Sequence, residues 1–265
     1  AAPAVTGSTQ NTYNLTQSAP VTFNAGQTLT VTDLGGTAGK RGNVTLTNPA
    51  NVFQDVNLLG GNLALTTIGP LTIGATGLSA NAGTTSTGTL ALTSTGAITQ
   101  LGPITAAGPT TLTAGAANNI TLNNANDFST VSVVSGNNVV LNDVNALDLG
   151  ASTISGTLTV TTNGAITDSG NLTVTGPTTL TAGAANNITL NNANDFNTVS
   201  VVSGNTVVLN DVNALDLGAS TVSGTLTVTS GGALTQSGAV TAPNLAVTSS
   251  GPVTLTNPAN DFDTV

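Results

Sequence analysis

The sequence predicts an all-β fold in which the chain winds as a parallel β-helix, a β-solenoid whose coils stack on one another. Three observations predict it. The first is tandem self-similarity. Gly108 to Leu122 recurs as Gly176 to Leu190, identical at all fifteen positions and at an offset of 68. Asn126-Asp127-Phe128 recurs as Asn194-Asp195-Phe196, and Leu141 to Gly150 as Leu209 to Gly218, at the same offset. Gly96-Ala97-Ile98-Thr99, Gly164-Ala165-Ile166-Thr167 and Gly232-Ala233-Leu234-Thr235 keep that step across three copies. Near-identical segments stack naturally in a coil and fit poorly into the unlike positions of a closed sandwich. The second observation is alternation. Stretches such as Leu158-Thr159-Val160-Thr161 and Ile188-Thr189-Leu190-Asn191 alternate apolar and polar residues, with Gly, Asn and Ser at the joins. The third is composition: Thr and Asn supply 52 and 32 of the 265 residues, and only 5% are charged.

Taken along the chain, residues 1–42 contain strand-like pieces, Val21-Thr22-Phe23 and Leu29-Thr30-Val31. They are expected to cap the helix or to mate with a neighbouring subunit. The repeat array is expected over residues 43–265. Its outer copies are marked by Leu46-Thr47-Asn48-Pro49-Ala50-Asn51-Val52-Phe53, which resembles Leu255-Thr256-Asn257-Pro258-Ala259-Asn260-Asp261-Phe262. Residues 78–89, rich in Gly, Thr and Ser, read as an insertion loop in the first copy. Within one repeat, strand-like openings at positions 158, 172, 188 and 207 divide the chain into four segments, Leu158–Asn171, Leu172–Asn187, Ile188–Thr206 and Val207–Thr225. This predicts four coils per 68-residue repeat, each 17-residue coil being a quarter of it, with three longer coils as the alternative. The chain stops at Val265, inside a motif that elsewhere continues as Val131-Ser132-Val133. The expectation is either a fragment of a longer array or a subunit whose edge another copy completes.

The composition also explains itself on this fold. In-register stacking places equivalent residues ~4.8 Å apart, where like charges repel. Thr and Asn avoid that repulsion, and Val, Leu and Ile fill the interior. All 11 acidic residues are Asp, against two basic residues, Lys40 and Arg41, for a net charge of −9. Such a surface repels nucleic acid and anionic membrane. No run of about 18 apolar residues exists to form a membrane-spanning helix. With no Cys and no His, zinc fingers, haem ligation, thiol nucleophiles and a Ser–His–Asp triad are excluded. A non-catalytic role without cofactor is expected.

Three motifs carry a further resemblance: Leu158 to Thr167, Ile188 to Val199 and Leu215 to Ser220, with their copies. These units resemble filamentous-haemagglutinin-type β-strand repeats, found in secreted bacterial adhesins and autotransporter-like passengers. The resemblance covers the repeat array and leaves out the N-terminal segment. It implies a right-handed β-helix, export to the cell surface or the extracellular space, and a role in adhesion or biofilm. The Asn-Pro-Asn-Gly signature of two-partner secretion is not matched by Asn48-Pro49-Ala50-Asn51. The expected partners are further copies of the chain itself and cell-surface glycan or matrix. The alternative function is a filament or sheath subunit joined head to tail.

Few residues are candidates for a site. Phe53, Phe128, Phe196 and Phe262 occupy one slot of the repeat. They read as structural plugs in a wide corner, with the Asn-Asp before Phe128, Phe196 and Phe262 making the turn. Asp143 and Asp148 could pair for calcium binding or glycoside cleavage. With no basic residue nearby, they are expected instead to be solvated and outward. Gly35 to Gly42, with Lys40-Arg41, superficially resembles a phosphate loop but lacks its final Ser or Thr.

Overall fold

A computed structural model describes residues 5–6, 14–24, 26–31, 41–80 and 88–265, and those residues contain strands and turns but no helix. Two compact units are formed, residues 1–137 and 138–265. In each, the strands pair in parallel with strands one coil away. That pattern defines a β-solenoid.

In residues 138–265 three such ladders run side by side, so each coil has three faces. On the first face Val139–Asp143 pairs with Leu158–Thr162, Leu158 with Thr178, and Thr178 with Val199. The face continues through Ser220, Val240 and Asp261. On the second face Leu147, Ile166, Ile188, Val207, Leu226 and Leu245 lie in one row. The third face runs from Ser152 on Leu172 and Val174 on Phe196 to Thr198 on Asp216 and Leu217 on Gln236. The commonest step between coils is the one from Val139 to Leu158, from Leu147 to Ile166 and from Val207 to Leu226, a difference of 19 in position. The coil is therefore longer than the quarter-repeat expected from the spacing of strand openings.

The longer coil puts the sequence repeat out of step with the structure. Starting at Val139 on the first face, three coils lead to Val199, but the sequence copy of Val139 is Val207, further along the chain and on the second face. Leu147 on the second face has its copy at Leu215 on the third, and Leu172 on the third has its copy at Val240 on the first. One sequence repeat thus spans three and a third coils. Neither four coils nor three describes it.

Alternation sorts the side chains. Strands such as Leu158–Thr162 and Val207–Asp211 bury every second residue. The buried positions form aliphatic rows, among them Leu141, Val160, Leu180 and Val201. Each such Val, Leu or Ile contributes about 1.5–3 kcal/mol by leaving water. Every Asp in a described pairing stands opposite an uncharged residue: Thr162 on Asp143, Thr167 on Asp148, Ser230 on Asp211. Charge is spaced as stacking requires.

Residues 1–137 follow the same plan. Leu15–Gln17 stacks in parallel on Val44–Leu46 and Thr28–Val31 on Asp55–Leu58, so solenoid pairing begins before residue 43. Val5–Thr6 lies antiparallel on Leu15–Gln17, a departure from the parallel rule at that edge. The extra length of the first copy appears in the coil step from Leu63 to Leu90, which exceeds the preceding step from Val44 to Leu63. Leu78–Ala80 belong to a strand paired with Leu58–Gly60, so the insertion expected from residue 78 starts later. Residues 81–87 and the Gly-rich stretch up to Lys40 lie outside the described residues.

Candidate functional site

Apart from Thr110 and Thr178, which lie inside paired strands, the polar groups buried in this fold sit at or beside the corners, where the backbone turns. One corner is built from an Asn, a Gln from the coil before, and a Phe. Asn126 is fully buried; its Oδ1 accepts from the Ile104 amide (2.8 Å) and from Gln100 Nε2 (2.8 Å). Its Nδ2 donates to Leu122 O (3.1 Å) and Gln100 Oε1 (3.0 Å). Asn51 with Gln17, and Asn260 with Gln236, repeat the reciprocal amide pair. In each case Asn Oδ1 also takes the amide that opens a strand or bridge, Val21 at 2.9 Å and Val240 at 3.0 Å. The side-chain amide stands in for a missing strand neighbour and supplies a buried backbone donor with its acceptor. Asn-Asp-Phe in the two inner copies is consequently not a turn. Residues 120–135 and 188–203 are single strands bent around this corner.

One copy departs from the pattern. At the position of Gln100 and Gln236 the middle repeat has Asp168, whose carboxylate accepts from Asn194 Nδ2 (2.8 Å) and from the Asn191 (3.0 Å) and Asn192 (3.2 Å) amides. Gln100, Asp168 and Gln236 lie just outside the repeated motifs, although they recur at the same offset as the other markers. That recurrence is the signal that could have found them.

The four aromatic residues are placed unevenly. Phe53, Phe128 and Phe196 are buried to 1% exposure, whereas Phe262 is half-buried. Phe23 packs on Phe53 with ring centroids 6.0 Å apart. The Phe196 amide donates to Asp211 Oδ1 (2.7 Å), as the Phe53 amide does to Thr67 Oγ1 (2.7 Å).

The Phe196–Asp211 bond overturns the expectation of outward aspartates. Asp143 and Asp211 are buried, at 1% and 2% exposure. Asp211 Oδ2 also accepts the Asn213 amide (3.1 Å), and Asp143 Oδ1 the Asn145 amide (2.9 Å). Each carboxylate caps the turn that follows its strand. Burial pushes the Asp211 carboxyl above the usual carboxylate range, the two amides oppose that shift, and the charge of Asp195 adds to it. Asp148 points the other way and accepts the hydroxyls of Thr167 (3.1 Å) and Ser169 from the next coil; Asp216 does the same with Thr235 (3.1 Å) and Ser237. The structure therefore does not bring Asp143 and Asp148 together. Among the described residues no group of three potential metal ligands converges.

A polar groove of ≈ 330 Å³ lies on the third face of residues 138–265, between Thr173, Thr175, Asp195, Asn197 and Asn213. Asn213 Nδ2 donates to Asp195 Oδ1 (2.8 Å), and Asn197 Nδ2 to the Thr175 carbonyl (3.0 Å). These residues present hydroxyl, amide and carboxylate groups, and Val174, Phe196 and Ala214 complete the lining.

Three consecutive stretches of the chain, residues 60–135, 136–203 and 204–265, match one family profile, described as repeats of unknown function (DUF5649). The first stretch is the longest, in keeping with its enlarged coil step. No curated protein and no solved structure matches the chain.

Proposed function

The chain belongs to the family of DUF5649 repeats, and on that premise we propose that it is a structural and adhesive segment of a bacterial surface or secreted protein. The role is non-catalytic. The observation that carries it is the set of outward hydroxyls on each face of residues 138–265. Thr159 and Thr179 stand on the first face, Thr167, Thr189 and Thr227 on the second, Thr153 and Thr173 on the third. Hydroxyl and amide groups both donate and accept, which complements the hydroxyls of glycan or matrix. The third-face groove is the recess best suited to a sugar. Durability fits the same reading, because Lys40-Arg41 is the one place where trypsin can cut.

The test is display of the chain on a non-adherent bacterium and measurement of retention on glycan-coated and bare surfaces. Retention on glycan, reduced by Asp195→Ala together with Thr175→Ala, is expected. Retention no better than that of cells displaying nothing would overturn the proposal. Growth of fibres with concentration, diffracting at the ~4.8 Å coil spacing, would favour a self-assembling filament subunit instead.

A further inference from the structure

We propose that Asn163 is a site of spontaneous covalent modification, converted through a cyclic imide to aspartate and isoaspartate. Asn163-Gly164 is the one Asn-Gly pair in the sequence. It lies in the turn between Leu158–Thr162 and Ile166–Asp168, with Asn163 exposed.

The glycine is imposed by packing. A Cβ at Gly164 would lie 2.7 Å from the Ala146 nitrogen of the preceding coil; at the copies Gly96 and Gly232 it would lie 2.5 Å from Pro70 N and 2.9 Å from Ala214 N. The residue before it is free to differ: Thr95, Asn163 and Gly231 fill that slot. The middle repeat therefore has a carboxamide next to a nitrogen that no side chain shields.

The hydrogen bonds differ in the same sense. In the copies the glycine amide is held, Gly96 N by Ser94 Oγ (3.1 Å) and Gly232 N by Ser230 Oγ (3.3 Å). In the middle repeat Thr162 replaces the serine and donates its hydroxyl to the Gly164 carbonyl (2.6 Å). Among the described residues neither the Gly164 amide nor the Asn163 carboxamide has a partner. Both reacting groups are unengaged.

The chemistry balances with water alone. The Gly164 amide nitrogen loses its proton and attacks Asn163 Cγ. The new C–N bond closes a five-membered imide, and the carboxamide nitrogen leaves as ammonia. Water then opens either imide carbonyl. One opening leaves aspartate; the other leaves isoaspartate, with an additional methylene in the main chain. The first puts a new negative charge in the turn beside the coil that carries Asp143 and Asp148, and the second lengthens the turn itself.

The experiment is incubation of the folded chain at mildly alkaline pH, followed by peptide mass spectrometry and enzymatic methylation of isoaspartate. Asn163 is expected to be modified ahead of the other asparagines, and faster as pH rises. Asn163→Thr, which installs the residue of the Thr95 copy, is expected to remove the signal. Thr162→Ser, which restores the hydroxyl that holds the glycine amide in the other copies, is expected to slow modification several-fold. Modification of other asparagines while Asn163 stays intact would overturn the site. An unchanged rate in Thr162→Ser would overturn the assigned cause.

Discussion

The corner at Asn260 and the corner at Asn194 hold the same Asn-Asp-Phe unit with different chemistry. Gln236 both gives and takes: Nε2 donates to Asn260 Oδ1 (2.8 Å) and Gly238 O (2.7 Å), and Oε1 accepts from Asn260 Nδ2 (2.8 Å). Asp168 only takes, accepting from Asn194 Nδ2 and from two backbone amides. In both corners the Asn oxygen keeps its bond to the amide that opens the strand, Val240 or Leu172. The part the fold requires is an acceptor for the Asn amide and an Asn oxygen for the strand. The donor to the Gly238 carbonyl is an addition that a carboxylate in the middle repeat does not supply.

The largest expected effect separates the two aromatic plugs. Phe196→Ala is expected to cost about 3–5 kcal/mol, as for a fully buried ring, and Phe262→Ala clearly less, because its ring is half-buried. Urea unfolding midpoints measure both; equal losses would break the distinction. Next comes the strand-opening bond. Asn194→Leu leaves the Leu172 amide without its acceptor and is expected to cost about 1–3 kcal/mol, with hydrogen exchange at Leu172 accelerated. Smaller, and of opposite sign, is Asp168→Gln. It supplies the donor found at Gln100 and Gln236 and is expected to stabilise by about 0.5–1.5 kcal/mol; a destabilised variant would show that the middle corner has adapted to the carboxylate.

The smallest effect is read against pH. The Asp211 carboxyl titrates above its ordinary 3.8 in the folded chain. The folded state then binds the proton more tightly, so this contribution to stability is complete below pH 3.8 and is lost as pH rises through the folded value. Asp211→Asn is expected to flatten the fall in melting temperature over that window. An undiminished fall would place its origin elsewhere.

Much of this was legible in the sequence. The repeat, the parallel stacking and the inward Leu, Val and Ile follow from identity and alternation. The winding phase did not, for a physical reason. Strand openings mark coils only where turns break strands, and Ile120–Ser135 and Ile188–Ser203 pass around a corner without a break, because Asn126 and Asn194 replace the missing neighbour. Burial of Asp143 and Asp211 was hidden likewise. Their carboxylates accept backbone amides, and for Asp211 one of these is the Phe196 amide of the preceding coil, a partner that no residue pattern announces.

The remainder of a third of a coil has a consequence for how such a chain can change in length. Identical stretches such as residues 141–150 and 209–218 invite unequal recombination that deletes or adds one unit. Everything beyond the join would then swing by a third of a revolution. The join itself would still fit, since residues from any one face already have copies that pack on the next. Only gains or losses in threes would restore the original azimuth. Copy number in such a gene therefore sets the direction in which a distal group points, along with its reach.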